Sequence, residues 1–264
     1  METPKRRPWW SYARFSMRGL IVLVLVVGGW LGWLVRTAHI QRQAVAAIQQ
    51  AGGSVIYDWA WKDGERIPNG RPWAPQWLVD WLGADYFGSV ICVSDGTSEW
   101  SDAEMVTIGQ LSRLEKLALN SRRLTGTGLA HLKGLTNLQR LNLHDSQVGD
   151  AGLVFLEELT QLRSLMLDDS KMSDVGLAHL KSLTRLRFLC LAGNRVGDAG
   201  LAHLEALTSL KSLHLSRNRI SDAGLIHLKG LKQLRGLYLD GTQVSEAGAR
   251  ELRTKALLHT MVSH

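Results

Sequence analysis

Apolar residues recur along the second half of the chain with a fixed period of 24 residues, from Leu111 to Thr254. One unit, Leu135 to Glu158, reads LTNLQRLNLHDSQVGDAGLVFLEE, and the units that begin at Leu159 and Leu183 have leucine at the same positions. Six full units follow one another, and Trp100 to Gln110 matches the second half of a degenerate unit before them. A fixed period of this length predicts a solenoid in which each unit packs against its neighbours.

The spacing inside one unit predicts a short strand followed by a short helix. Leu141 and Leu143 are two residues apart, which places both side chains on one face of a strand. Leu153 and Leu156 are three residues apart, and this helical spacing returns both to the same core. Asp150 stands where free backbone N–H groups and the helix dipole favour a carboxylate. We therefore expect Asp150 and its counterparts to lie at the starts of their own helices.

A glycine occupies one helical position in every full unit. Glycine is less favourable than alanine inside a helix by about 1 kcal/mol, so the repetition predicts close packing between the backbones of neighbouring units. The column consists of Gly128, Gly152, Gly176, Gly200, Gly224 and Gly248.

The consensus LxxLxxLxLxx(S/N/T)x(V/I)xDAGLxxLxx resembles the leucine-rich repeat family over residues 111–254. It is most similar to the subgroup with DAGLxxL helical halves, which is common in bacterial proteins and related to the repeats of F-box substrate receptors. The resemblance implies an α/β solenoid with a parallel sheet on its concave face, helices on its convex face, and protein recognition as the usual role. A substrate-recognition role like that of F-box proteins is a remote alternative, because an apolar segment stands where the F-box would be.

That apolar segment, Gly19 to Val35, is seventeen residues long and carries no charge. Its length lies at the lower end of what a transmembrane helix needs, and residues 37–50 are expected to continue as a helix. Five basic residues precede the segment and two closely follow it, so the positive-inside rule places the N-terminus in the cytoplasm and the repeats on the other side. The alternative is a cleaved signal peptide, but Arg36-Thr37-Ala38-His39 is a poor cleavage site. We predict an uncleaved signal anchor.

The net charge of +7 is concentrated around this anchor. Residues 1–42 hold seven basic side chains and one acidic side chain, which leaves 31 − 7 = 24 basic and 24 − 1 = 23 acidic side chains in the remaining residues. A main domain with a net charge of +1 has no overall bias toward phosphate, so no nucleic-acid partner is expected.

Tryptophan is confined to the first part of the chain, because all ten lie at or before Trp100. The sequence Ser54–Trp61 predicts a strand, Gly88–Val93 a second strand, and Gln76–Leu82 a helix. This helix would place Trp77, Leu78, Trp81 and Leu82 on one face. We interpret the Trp-rich region as a cap on the open end of the solenoid, with an aromatic binding platform as the alternative.

These boundaries predict six regions in the chain. They are a basic cytoplasmic N-terminus at 1–18, a transmembrane signal anchor at 19–35, a juxtamembrane helix at 36–51, a Trp-rich cap with a degenerate repeat at 52–110, six repeats at 111–254 and a tail at 255–264.

The outward positions of the repeat strands are the predicted partner-binding surface. They vary between units while the leucines stay fixed, which is typical both of a binding surface and of unconstrained surface. The candidate residues are Arg140, Asn142, His144, Met166, Asp168, Phe188, His214, Tyr238 and Asp240. Among these, large aromatic and arginine side chains are the usual energetic anchors of protein interfaces.

The sequence presents no catalytic or cofactor motif. The histidines His131, His179, His203 and His227 share one helical position, which the repeat itself explains, so neither a metal nor a cofactor is expected. An enzyme using His144, Asp168 and His214 would lack a nucleophile and any group to orient them. Cys92 and Cys190 lie four strands apart, about 19 Å at the spacing of a sheet, too far for a disulfide. We predict a protein-binding module without enzymatic activity or a small-molecule substrate; a structural or self-associating scaffold of the cell envelope is the alternative.

Overall fold

The computed structural model describes residues 17–62, 65–67, 70–95, 100–255 and 261–263. Most of the predicted basic N-terminal region, residues 1–16, therefore lies outside the described residues.

The first element is the helix α1, Met17–Gln50, which contains 34 residues. Its N-terminal half is apolar and, apart from the half-buried Leu34, exposed from Leu20 to Val35. Further along, Ala38, Ala44, Val45 and Ile48 are buried against the rest of the protein. By its length and composition, α1 is able to cross a membrane.

The Trp-rich region folds into short elements around the second half of α1. They are the strand β1 (Ser54–Tyr57), the hairpin strands β2 (Trp61–Lys62) and β3 (Glu65–Arg66), the helix α2 (Gln76–Leu82), the strand β4 (Val90–Ser94) and the helix α3 (Asp102–Ile108). The predicted first strand ends at Tyr57, because Asp58–Ala60 forms a 3-10 turn. In α2, Trp77 and Trp81 are exposed while Leu78 and Leu82 are half-buried, so the predicted common face is divided in two.

The repeats build a parallel sheet, with one three-residue strand from each unit in register with the next. The strands are β5 (Lys116–Ala118), β6 (Arg140–Asn142), β7 (Ser164–Met166), β8 (Phe188–Cys190), β9 (Ser212–His214) and β10 (Gly236–Tyr238).

Both ends of this sheet are extended by segments outside the six repeats. The strand β4 pairs parallel with β5, and Cys92 lies opposite Lys116, one period of 24 residues later, so the degenerate unit has a strand as well as a helix. At the other end β11, Met261–Ser263 in the predicted tail, pairs parallel with β10. The antiparallel strand β1 closes the N-terminal edge against β4.

In the first five units, the helical half is shorter and tighter than a regular α-helix. Three units have α4 (Gly149–Leu153), α5 (Asp174–Leu177) and α6 (Asp198–Leu201), each followed by a 3-10 turn. Two units have only 3-10 turns, Gly128–Leu132 and Gly224–Leu228, and the last has α7 (Glu246–Lys255). Leucines from strands and helical turns meet in one continuous core, which also contains Ile48 of α1 and Trp100 of the cap.

The aspartate carboxylates accept hydrogen bonds from backbone N–H groups of the next unit, and not from those of their own helix. Asp150 accepts hydrogen bonds from the backbone N–H groups of Ser173 (2.8 Å) and Gly176 (3.2 Å), and no side chain caps its own helix. Asp150, Asp174 and Asp198 lie in the first turns of their own helices, as predicted, but the hydrogen bonds of Asp150 and Asp174 are made to the next unit. The same contact joins Asp102 to Thr125, Asp174 to Gly197, Asp198 to Ser221 and Asp222 to Ser245.

The glycine column provides the space for these carboxylates. A Cβ atom on Gly176 would lie 2.5 Å from an Asp150 carboxylate oxygen and 3.2 Å from its Cα. The column was predicted to allow close contact between neighbouring backbones. Such contact occurs at Gly152, where an added Cβ atom would lie 2.7 Å from the Cα of Gly126. Gly126 occupies the aspartate position of its unit, so here the backbone itself approaches the next unit.

Candidate binding face

Side chains at the first and third strand positions project away from the core on the sheet side of the solenoid. We call this surface, formed by the outward side chains of β5 to β10 and the residues beside them, the concave face. The middle residue of each strand, such as Leu141 and Leu165, is buried, whereas Asn142 and Met166 are partly exposed. The alternation follows from the two-residue period of a strand.

A cavity of about 960 Å³ occupies the part of this face nearest the cap. Four predicted residues, Arg140, Asn142, Met166 and Phe188, line it. Trp61 and Cys92 of the cap also contribute to the wall, so the cap forms one end of the cavity. The structure thus combines a cationic, a polar, a thioether and an aromatic side chain from three successive repeats in one concave site.

Cations form a row along the edge where the strands begin. Four stand immediately before their strands, and two are the first strand residues of their units. The row consists of Lys116, Arg140, Arg163, Arg187, Lys211 and Arg235. Four of them line the cavity, together with the acidic residues Asp58 and Glu115.

The cationic row has no salt-bridge partner among the residues that the structure describes. The Nζ atom of Lys116 is buried without a hydrogen-bond partner and lies 3.2 Å from the centroid of the Trp61 ring. Burial, followed by repulsion from Arg140, holds the pKa of Lys116 below its usual value. Like charges directly opposite each other on neighbouring strands are destabilising, and Lys116 and Arg140 form such a pair on β5 and β6.

Aromatic rings continue from the cavity across the next two strands. The centroids of Phe188 and His214 are 5.0 Å apart, and those of His214 and Tyr238 are 4.0 Å apart with nearly parallel planes. The Oγ atom of Ser212 is 3.1 Å from Nε2 of His214. Burial lowers the pKa of His214, which favours the neutral ring. The three rings form a continuous, largely uncharged stripe.

The opposite edge of the face is acidic, but its carboxylates already have partners. Asp145 pairs with Arg122 at 2.7 Å, and Asp169 with Arg217 at 3.0 Å. The carboxylate of Asp168 accepts hydrogen bonds from the thiol of Cys190 and, at 3.1 Å, from the backbone N–H of Ala192. The concave face is therefore polarised, with unpaired cations at one edge and internally paired acids at the other.

The remaining predicted residues lie at this acidic edge. Nδ1 of His144 is 3.8 Å from Asp168, and Asn142 accepts a hydrogen bond from the backbone N–H of His144. Asp240 accepts a 3.3 Å hydrogen bond from the Ser216 hydroxyl. Burial, reinforced by Asp168, raises the pKa of the Cys190 thiol to about 12, so this thiol remains protonated at neutral pH. His144, Asp168 and Asp240 are thus separate from the cavity group.

Arg163, Arg187, Lys211 and Arg235 were not among the sequence candidates. They precede the strands, whereas the predicted residues are the outward strand residues and residues shortly after the strands. Their signal was present in the sequence as four consecutive units with Arg or Lys directly before the strand.

The recurrent histidines lie on the helical side of the solenoid. His179 contacts Glu157 and His227 contacts Glu205 of the preceding unit, each through Nδ1 at 2.6 Å. Within the described residues, no group of three or more His, Cys, Asp or Glu side chains is arranged to hold a metal ion. Cys92 and Cys190 are both free.

Comparisons with known proteins agree with this architecture. Two leucine-rich repeat family models match the chain, one at residues 185–244 and one at residues 134–156. No curated protein sequence matches the chain.

Among solved structures, two internalins of Listeria monocytogenes have a similar fold. The first, internalin inlF, superposes with a TM-score of 0.51 at 23% sequence identity over 64% of this chain, which spans about half (52%) of the internalin. The second, internalin C2, gives a TM-score of 0.50 at 21% identity, covering 68% of this chain and 82% of that structure. The matches support a leucine-rich repeat family, and the chain has the fold of a leucine-rich-repeat solenoid preceded by an apolar helix.

Proposed function

We propose that the chain is a membrane-anchored recognition protein whose concave face binds a partner protein with an acidic and partly apolar surface. The observation that carries this proposal is the row of six cations, unpaired among the described residues, beside the stripe of Phe188, His214 and Tyr238. Leucine-rich repeat domains bind protein partners, and arginine and aromatic side chains are enriched at protein interfaces.

The chemistry of the face selects the class of partner. Carboxylates of the partner would meet a cation on each successive strand, about 4.8 Å apart, while its apolar side chains would contact the cavity and the rings. A uniform polyanion, such as a nucleic acid, would use the cations and leave the stripe of rings without an apolar contact. The combination favours a polypeptide.

The apolar half of α1 supplies the membrane anchor in this proposal. Its exposed apolar side chains from Leu20 to Val35 would be solvated by lipid, and the basic residues before it would stay in the cytoplasm. The repeats then lie on the extracytoplasmic side, with residues 36–51 and the cap at 52–110 between membrane and solenoid. The repeats belong, in this proposal, to the DAGLxxL subgroup.

Charge reversal at the strand edge tests this function. The full chain is purified after cross-linking in the cells that produce it, and the proteins captured by the wild type are compared with those captured by the double variant Arg163→Glu/Arg187→Glu. The matched control is Arg195→Glu/Arg219→Glu, in which two exposed arginines, also one period apart, lie in the segments that lead from the strands to the helical turns.

We expect at least one protein to be lost by about tenfold or more from the strand-edge variant and retained by the control, since removal of a buried charge contact costs about 2–5 kcal/mol. Equal capture by both variants would contradict the proposal, as would capture that depends on the control arginines. Melting temperatures of all three proteins establish that each is folded.

A further inference from the structure

We infer that Trp73, Trp77 and Trp81 form a second contact with the membrane, a patch that lies in the interfacial layer beside the end of the transmembrane part of α1. We call these three side chains the tryptophan patch. The inference rests on the proposed function, because it requires α1 to span the bilayer.

The first observation is the exposure of three large rings close together in the chain. Trp73, Trp77 and Trp81 are 81%, 68% and 76% exposed, whereas Trp100 in the same region is 1% exposed. Exposed Trp side chains leave a large apolar area in water, and such a patch marks a surface that is covered by a partner or a membrane.

The local fold turns the rings outward. Trp77 and Trp81 are four residues apart on α2, so they share one face, and the half-buried Leu78 and Leu82 lie on the adjacent face of the helix. Trp73 precedes α2 and packs edge-on against Phe87, with their ring centroids 5.5 Å apart. The three rings therefore belong to one fixed segment of the cap.

Contacts with α1 fix the position of this segment along the axis of α1, and so its distance from the membrane. The Arg42 guanidinium donates a hydrogen bond to the carbonyl of Leu82 and lies 3.8 Å from the Asp85 carboxylate. The side chain of Gln41 donates to Asp85 (3.0 Å) and to the carbonyl of Gly88 (2.9 Å) and accepts from the N–H of Val90 (3.0 Å). These bonds join α1 rigidly to the cap.

The end of the apolar stretch of α1 lies at the same level as the patch. Trp33 and Leu34 line a cavity of about 680 Å³ together with Trp73 and Phe87. Arg42, which contacts the end of α2, is seven residues beyond Val35, about 10 Å along a helix. The interfacial layer extends roughly 5–8 Å beyond each side of the hydrocarbon core, so Trp73, beside Trp33, falls within it, and Trp81, next to Leu82, falls near its outer boundary.

A lipid interface fits the chemistry of the patch better than a protein groove. Tryptophan is enriched at membrane interfaces, where its ring is in an apolar medium and its N–H remains hydrated. The exposed side chain of Arg36 lies at the end of the same apolar stretch, where it can reach lipid phosphates. With two points of contact, the solenoid would be held at a fixed tilt to the membrane instead of swinging about a single helix.

Lipid-specific fluorescence quenching tests the inference. The full chain is reconstituted into phosphatidylcholine nanodiscs that contain lipids brominated near the headgroup end of the acyl chain. The emission lost in Trp77→Phe/Trp81→Phe is compared with that lost in Trp100→Phe. Trp100 packs near Ile48, which is thirteen residues beyond Val35, about 20 Å along the helix, and should be far from lipid.

We expect the emission assigned to Trp77 and Trp81 to be quenched at least about twofold more strongly than that of Trp100. Equal quenching of the patch and of Trp100 would overturn the inference. It would also be overturned if Trp77 and Trp81 were not quenched and the wild type formed a dimer that Trp77→Phe/Trp81→Phe did not form, because a second copy of the chain would then be the occupant. Quenching of Trp30 and Trp33, read as the emission lost in Trp30→Phe/Trp33→Phe, reports on the span separately. If these two are quenched and the patch is not, the anchor stands and the inference fails.

Discussion

The contact between Asp150 and Gly176 shows how single residues set the spacing of the solenoid. The carboxylate of one unit accepts N–H groups from the first helical turn of the next, and the glycine leaves room for it. Hydrogen bonds to ionised groups are stronger than those between neutral groups, so this contact stabilises the joints where aspartate is present. Its pairwise nature explains why aspartate and glycine recur together.

The substitution Gly176→Ala tests this role. Its Cβ would lie 2.5 Å from the Asp150 carboxylate, so we expect a loss of about 1–3 kcal/mol in the free energy of unfolding, measured by urea denaturation. Helix propensity alone would give the opposite sign, a gain of up to about 1 kcal/mol. Gly134→Ala is the matched control, because no atom lies within 4 Å of a Cβ there. A stabilised Gly176→Ala protein would show that the carboxylate does not need the space.

Polar residues under the sheet form a second column. In the consensus this column is a position that holds Ser, Asn or Thr, and the consensus does not specify its hydrogen-bond partners. The amide of buried Asn194 donates to the carbonyls of Leu167 and Leu191, and its oxygen accepts from the N–H of Met172. A serine at the same position, Ser170, donates its hydroxyl to the backbone carbonyls of Leu143 and Asp168. The period identified this column, but its partners come from two different units and could not be derived from one unit.

Among the elements, the strands followed from the sequence far better than the cap. Six strands were predictable because one two-residue period, repeated every 24 residues, fixes both their position and their register. The cap depends on contacts that occur once, such as Gln41 with Asp85 and Gly88, 44 and 47 residues away. The strand β11 was missed for the same reason, since no repeat pattern reaches it.

The stacked rings on β8, β9 and β10 have a predictable pH dependence. Burial lowers the pKa of His214, although Asp168 opposes this effect. In the unfolded chain the pKa of His214 is about 6.5, so the unfolded chain binds a proton more readily than the folded chain as the pH falls. The stability due to the neutral ring is therefore present above about pH 6.5 and is lost as the pH falls below it.

Replacement of the ring isolates this contribution. We expect His214→Phe, which keeps an aromatic ring in the stack, to lose less melting temperature between pH 7 and pH 5 than the wild type. Tyr238→Phe is the control, because it alters the same stack without removing a group that titrates in this range. An unchanged pH dependence in His214→Phe would show that this histidine does not contribute to it.

On the scale of the whole molecule, charge is organised along two directions. Along the chain, basic residues cluster around α1, and the remaining residues are nearly neutral in sum. The net charge of these remaining residues therefore gives no sign of how their charges are arranged across the sheet. Across the sheet, Arg163 and Arg187 at one edge are unpaired among the described residues, whereas Asp145 and Asp169 at the other edge are paired. The parallel register creates this polarity, because it brings the same end of every strand to the same side.

The candidate site was therefore predictable only in part. The alternation of strand residues identified Arg140, Met166 and Phe188, which the structure brings together around one cavity. The residues before the strands, and the contribution of Trp61 from the cap, depend on how the chain turns into and around the sheet. Those turns form only when the units pack together, so they could not be derived from the sequence of one unit.

The central claim is that the concave face, and not the convex one, contacts the partner. A photoreactive benzoylphenylalanine placed at Met166, on the wall of the cavity, is compared with the same residue placed at the exposed Val175 on the helical side. After irradiation of cells that produce the full chain, we predict a discrete adduct with one other protein from position 166 and none from position 175. An adduct from position 175 alone, or equal adducts from both, would contradict the account.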